Sequence, residues 1–175
     1  MPDPSPPPWR IEPLAEGHDR GPFSCGKPGL DEFLRLYALQ NQRKGVGRTF
    51  VAVRPGEAIV RGYYTLSSGS VAFAHLPPER RKGLPRYPVP VAHMGRLAVA
   101  QDFRGLGLGR LLLLDALRRT QRVAHDLGVC GMEVVALDEA ARGFYLKYGF
   151  VPLSDDRLYL YLPSSVIRAL AFPGG

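Results

Sequence analysis

Three glycines at every second position, Gly105, Gly107 and Gly109, stand directly before the leucine run of "QDFRGLGLGRLLLLDAL" at 101–117. That stretch constrains the fold most, because it places a freely turning backbone at the mouth of a long helix. The helix is predicted from Gly107 to about Leu127, with Leu112, Leu113, Ala116, Leu117, Ala124 and Leu127 as its core stripe. Asp115, Arg118, Arg119, Arg122 and Asp126 share the other face, and Gly128 takes the place after the last turn. "VAHMGRLAV" at 91–99 reads as the strand before the turn.

Neither common nucleotide loop fits this turn. In GxGxxG the third glycine would fall at Arg110 or at Leu112, and no Lys-Ser or Lys-Thr completes a P-loop. What stands there is Arg104-x-x-Gly107-x-Gly109 between a strand and a helix start. Backbone N–H groups in such a turn converge without interference from Cβ atoms, and the helix terminus adds partial positive charge, so a pyrophosphate would be held. Arg104 and Arg110 would add charge-assisted contacts. The alternative is a tight connection into a helix packed closely on a sheet.

Elsewhere the periodicities alternate. "WRIEPL" is a short strand, and "KPGLDEFLRLYALQNQRKG" a helix whose buried face is Leu30, Phe33, Leu34 and Tyr37, stopped by Gly45. "RTFVAVR" and "IVRGYYTLSSGSVAF" flank the turn "PGEA" as a hairpin. "HLPPERRKGLPRYPVP" is an exposed basic loop with at most one helical turn. "VCGMEVVAL" is a strand, Asp138 caps the helix "EAARGFYLKY", Gly149 ends it, and "FVPL" and "RLYLYLP" supply the last strands. The expected fold class is α/β, a mixed sheet with flanking helices in a single domain over 9–175. The prolines of residues 1–8 imply a mobile arm.

Composition excludes several classes. The 175 residues, 45% of them hydrophobic, suffice for one core, and no apolar run would span a bilayer, so a cytoplasmic protein is expected. Cys25 and Cys130 lie far apart without a CxxC partner, and the four histidines lack metal-site spacing, so neither a disulfide framework nor a metal is expected. Cys130 is assigned to the core. The formal charge of +7 suits either a polyanion ligand or an ordinary soluble surface.

R-x-x-G-x-G after a strand ending "LAV", followed later by "AARGFYLKYGF", resembles the GNAT N-acetyltransferases. "FSCGKPGLDEFLRLYALQNQRKGVGRTFVAV", "GYYTLSSGSV", "LPRYPVPVAHMGRLAV" and "GFVPL" narrow the resemblance to GNAT toxins of bacterial toxin-antitoxin pairs, which acetylate the α-amino group of aminoacyl-tRNA. That resemblance implies a GNAT fold with a splayed central strand pair, acetyl-CoA as cofactor, aminoacyl-tRNA as substrate, a ribbon-helix-helix antitoxin as partner, and a homodimer by analogy. It puts the pantetheine arm along the main chain of Leu97, Ala98 and Val99, where an ordinary core strand would read the same. It puts the pyrophosphate on Arg104, Gly105, Leu106, Gly107, Leu108, Gly109 and Arg110.

Tyr145 is the catalytic candidate under that resemblance, which sets it beside the thioester sulfur. A phenol of pKa about 10 can donate to a departing thiolate whose thiol has a pKa of about 8.5. Periodicity alone assigns Tyr145 to a core stripe with Ala141, Phe144 and Tyr148. His93, with Glu133 behind it, is the candidate base or relay, although a strand histidine also serves structure. An α-amino group with a pKa near or below about 7.7 needs little help to lose its proton. Arg43, Lys44, Arg48, Arg80, Arg81, Lys82 and Arg86 are candidates for RNA phosphates or for a solvated surface; Arg96, inside a strand, could be structural. Two other functions stay open: a GNAT acting on a protein N-terminus, a lysine or a small amine, and a non-catalytic protein that binds coenzyme A or an antitoxin and helps occupy operator DNA.

Overall fold

The computed structural model describes residues 9–153 and 156–170; the arm expected at 1–8 lies outside them. Seven strands form one mixed sheet in the order β1-β2-β3-β4-β5-β7-β6, with β1 Arg10–Pro13, β2 Arg48–Val53, β3 Gly62–Val71, β4 Val89–Val99, β5 Gly131–Val135, β6 Val151–Leu153 and β7 Asp156–Pro163. β4 and β5 run parallel, while β1–β2, β2–β3, β5–β7 and β6–β7 are antiparallel. The flanking helices are α1 Pro28–Glu32, α2 Ala38–Arg43, α3 Pro78–Arg81, α4 Leu108–Asp126, α5 Glu139–Leu146 and α6 Ser164–Ala169. The expected α/β class with flanking helices is the observed one.

The described backbone groups into two compact units, 9–66 with 96–115 and 67–95 with 116–153 and 156–170. In the first, Phe23, Phe33, Leu34, Val51, Tyr63 and Ala98 form a core in which apolar residues of β2 and β3 meet the α1 segment. In the second, Val71, Leu76, Val89, Val91, Leu153 and Tyr161 cluster, with Cys130 partly buried against them. Cys130 is thus a half-buried neighbour of the core rather than a member of it. Both cysteines are free.

Four further expectations need correction. Between α1 and α2 the chain makes a π turn over Phe33–Tyr37, and the extra residue per turn rotates Tyr37 out to 46% exposure while Ala38 takes the buried place. β3 starts at Gly62 rather than near Ile59, because the backbone of 58–60 is engaged by Asp19: its N–H donates to the Ala58 carbonyl (2.8 Å), and its carbonyl accepts from Val60 (3.0 Å). Leu127 is 59% exposed, since α4 ends at Asp126 and the stripe stops with it. Gly128 has no positive φ, so α4 closes without a left-handed residue, unlike α5, whose end at Leu146 is followed by Gly149 with φ 91°.

Candidate active site

The glycine turn is built into the first unit from both sides. Gln101–Phe103 form a 3₁₀ turn whose entry is fixed by Ala100 N–H donating to Arg61 (2.8 Å) and Gln101 N–H donating to Ser24 (2.9 Å). The Arg104 guanidinium donates to the carbonyl of Cys25. Behind that carbonyl, the buried Asp31 accepts from Cys25 N–H at 2.8 Å, so the 25–31 loop is an internal brace for the turn. Spacing did not reveal this brace, because Asp31 reads as a polar residue in a first helical turn.

Gly105 (φ 75°) and Gly107 (φ 81°) both adopt the left-handed region, and nothing lies within 4 Å of where a Cβ would stand on either. Leu106 between them is 63% exposed, whereas Leu108 is 1% exposed and anchors the first turn of α4. The opening N–H groups of a helix have no intrahelical acceptor, so those of Leu108, Gly109 and Arg110 are donors at a positive helix end. Open space over the glycines, turned backbone and unfilled donors fit a diphosphate. Arg110 is exposed beside them. Leu97, Ala98 and Val99 lie at the end of β4, past the register Ala92↔Met132, His93↔Glu133, Met94↔Val134. β5 stops at Val135.

In the second unit, α5 carries Tyr145. Asp138 caps the helix, accepting from Ala141 N–H at 2.9 Å. Tyr145 is 6% exposed, its ring 5.3 Å from Phe144 and 5.4 Å from Phe150. Its hydroxyl has no hydrogen-bond partner among the described residues, yet it is not sealed from solvent. Burial pushes its pKa above the ordinary phenol value.

The neighbouring strands bring His93 and Glu133 together, with Nδ1 3.1 Å from Oε1. A Cβ on Gly69 would stand 3.0 Å from Glu133 Oε1 and 3.3 Å from His93 Cβ, so the pair is set against bare backbone. The sequence named both residues but not their bond, which depends on strand register.

The basic residues separate. Arg81 is tied to the fold by bonds to Leu76 and Ala74 carbonyls, both 2.8 Å, and Arg43 pairs with Glu16. Arg80 is half-buried, while Lys44, Arg48, Lys82 and Arg86 are exposed. Among the described residues no group of three or more His, Cys, Asp or Glu could hold a metal, and no helix is long and apolar enough to cross a membrane.

Residues 45–152 match the acetyltransferase (GNAT) domain. The chain belongs to the GNAT acetyltransferase family. Its GNAT relatives include a protein of Mycobacterium tuberculosis named tRNA-acetylating toxin, 41% identical over 90% of this chain and 93% of that one. AtaT complexed with acetyl-methionyl-tRNAfMet superposes with a TM-score of 0.87 at 30% identity, covering 93% of this chain and 98% of that one. A tyrosine-to-phenylalanine AtaT variant, bound to the C-terminus of the antitoxin AtaR and to acetyl-CoA, gives 0.78 at 27% identity, covering 93% and 97%. As a GNAT enzyme the chain is an acyltransferase with acetyl-CoA as cosubstrate.

Proposed function

We propose that this protein is a cytoplasmic toxin that acetylates the α-amino group of aminoacyl-tRNA and is held in check by a ribbon-helix-helix antitoxin. The observation that carries the reading is 41% identity, over 90% of the chain, to a tRNA-acetylating toxin. The exposed cations Lys44, Arg48, Lys82 and Arg86 give a polyanion somewhere to bind.

Acetyl-CoA supplies the acyl group as a thioester. The amides of 105–110 bind its diphosphate, with Arg110 adding charge and Arg104 holding the turn through Cys25. The main chain of Leu97–Val99 takes the pantetheine amides. Tyr145 keeps a proton on its hydroxyl for the departing sulfur, and burial ensures that the proton is present at neutral pH. The His93–Glu133 pair provides an acceptor for the amine proton through water.

Incubation with labelled acetyl-CoA, charged tRNA, protein extract and polyamines tests the substrate. Label is expected on the aminoacyl group of tRNA; label confined to protein or polyamines overturns the proposal.

A further inference from the structure

One side-chain cluster in the first unit is not used by the reading above. Phe33 opens the π turn, and the Arg96 guanidinium on β4 lies over its ring, 3.6 Å from the centroid. Phe33 stacks on Tyr63 with ring centroids 6.2 Å apart and planes at 21°, and Tyr63 Oη donates to the Leu30 carbonyl at 2.7 Å. The platform under the guanidinium is therefore fixed through strand and helix together.

Three other arginines of this unit end on carbonyls of the protein itself, whereas Arg54 stacks over Trp9 and Phe103 at 5.4 and 5.3 Å. Arg20 donates to the carbonyls of Leu34 (3.3 Å) and Arg35 (3.2 Å), Arg35 to that of Phe23 (3.0 Å), and Arg104 to that of Cys25. Arg96 makes no hydrogen bond or ion pair with any described residue. It is half-buried, and none of its nitrogens is sealed from solvent.

A guanidinium stacked by its face still has its N–H edge to offer, in the plane and in a fixed fork. Partial burial weakens hydration of that edge, so an acceptor arriving from outside gains more there than at an exposed lysine. The fork matches two oxygens of a phosphate. A half-buried group on a strand is out of reach of a duplex backbone, which meets exposed side chains, but a single strand can thread to it.

We infer that Arg96, held flat on Phe33, binds a phosphodiester of the single-stranded 3′ end of the acceptor tRNA. The inference rests on aminoacyl-tRNA being the substrate. Phosphates of acetyl-CoA offer the same chemistry, and the test separates the two.

Wild type, Arg96→Gln and Arg96→Lys are assayed with charged tRNA and with an aminoacyl-adenosine that carries no phosphate. The second acceptor is read by its rate or, where slow, by its competitive inhibition constant against tRNA. For Arg96→Gln, kcat/KM on charged tRNA is expected to fall about 10- to 100-fold. KM for acetyl-CoA and the behaviour of the phosphate-free acceptor should stay within about twofold. Arg96→Lys should recover only part of the loss, because an ammonium lacks the planar fork. Equal losses on both acceptors, a raised KM for acetyl-CoA, or no loss on tRNA each overturn the inference. Where Arg96→Gln does not fold, Arg96→Lys carries the same comparison. A wild-type protein that acetylates other amines but no tRNA instead overturns the substrate on which the inference rests.

Discussion

Tyr145 shows how one residue can be both core and chemistry. Its ring packs between Phe144 and Phe150, while its hydroxyl is unpartnered among the described residues. Tyr145→Phe therefore removes no protein hydrogen bond that the structure records and should leave the melting temperature nearly unchanged. Loss of a general acid is expected to lower kcat about 10²- to 10⁴-fold. The pH dependence follows from the direction of the shift. The substrate amine must be neutral to attack, so the rate rises with pH through its pKa, near or below about 7.7. The phenol must be protonated, and burial moves its titration above the ordinary value of about 10, so no falling limb is expected below pH 10. A wild-type kcat profile that falls between about pH 8 and 9 would assign the acid to another group.

At the scale of elements, sequence reasoning succeeds where periodicity is local and fails where a distant backbone intervenes. The α5 cap at Asp138, the stop at Gly149 and the turn at Gly105 and Gly107 all follow from residue type and spacing. The π turn does not, because Leu30, Phe33, Leu34 and Tyr37 satisfy a helical face that the inserted residue then rotates. Nor does the start of β3, which Asp19 displaces from far away in the chain. The site divides likewise: the glycine turn and Tyr145 are visible as motifs, whereas the Asp31–Cys25–Arg104 brace and the His93–Glu133 bond exist only once the chain is folded. Gly131 is the sharpest case of hidden constraint. It reads as an ordinary strand residue, yet a Cβ there would stand 2.3 Å from the Leu162 carbonyl oxygen and 2.8 Å from the Tyr161 ring. Backbone of the paired strand β7 cannot yield as a flexible side chain would. Gly131→Ala is expected to cost about 1–3 kcal/mol, which thermal unfolding should report as a drop of roughly 2–12 °C. An unchanged melting temperature would mean that β5 and β7 can separate locally at little cost.

For the whole molecule, the formal +7 is a poor guide to which cations meet a ligand, because many are already engaged. Arg10 pairs with Glu12 at 2.9 Å, Arg157 with Glu139 at 2.6 Å, and Arg81 is bound to two carbonyls. Lys82 follows Arg81 directly, Arg86 stands five residues beyond it in the same proline-rich segment, and both are exposed. These neighbours should therefore behave oppositely. Each phosphate contact contributes about 0.7–0.9 to the slope of log affinity against log salt concentration. Replacing Lys82 and Arg86 together by Gln should flatten that slope for tRNA by about 1.4–1.8 with no thermal penalty. Arg81→Gln should leave the slope unchanged but lower stability by about 1–3 kcal/mol, since the carbonyls of Ala74 and Leu76 lose their donor. Affinity measured from low to high salt, alongside thermal unfolding, separates the two effects. Equal slopes for wild type and the Lys82/Arg86 variant would remove this loop from the RNA-binding surface and leave the positive charge without a ligand there.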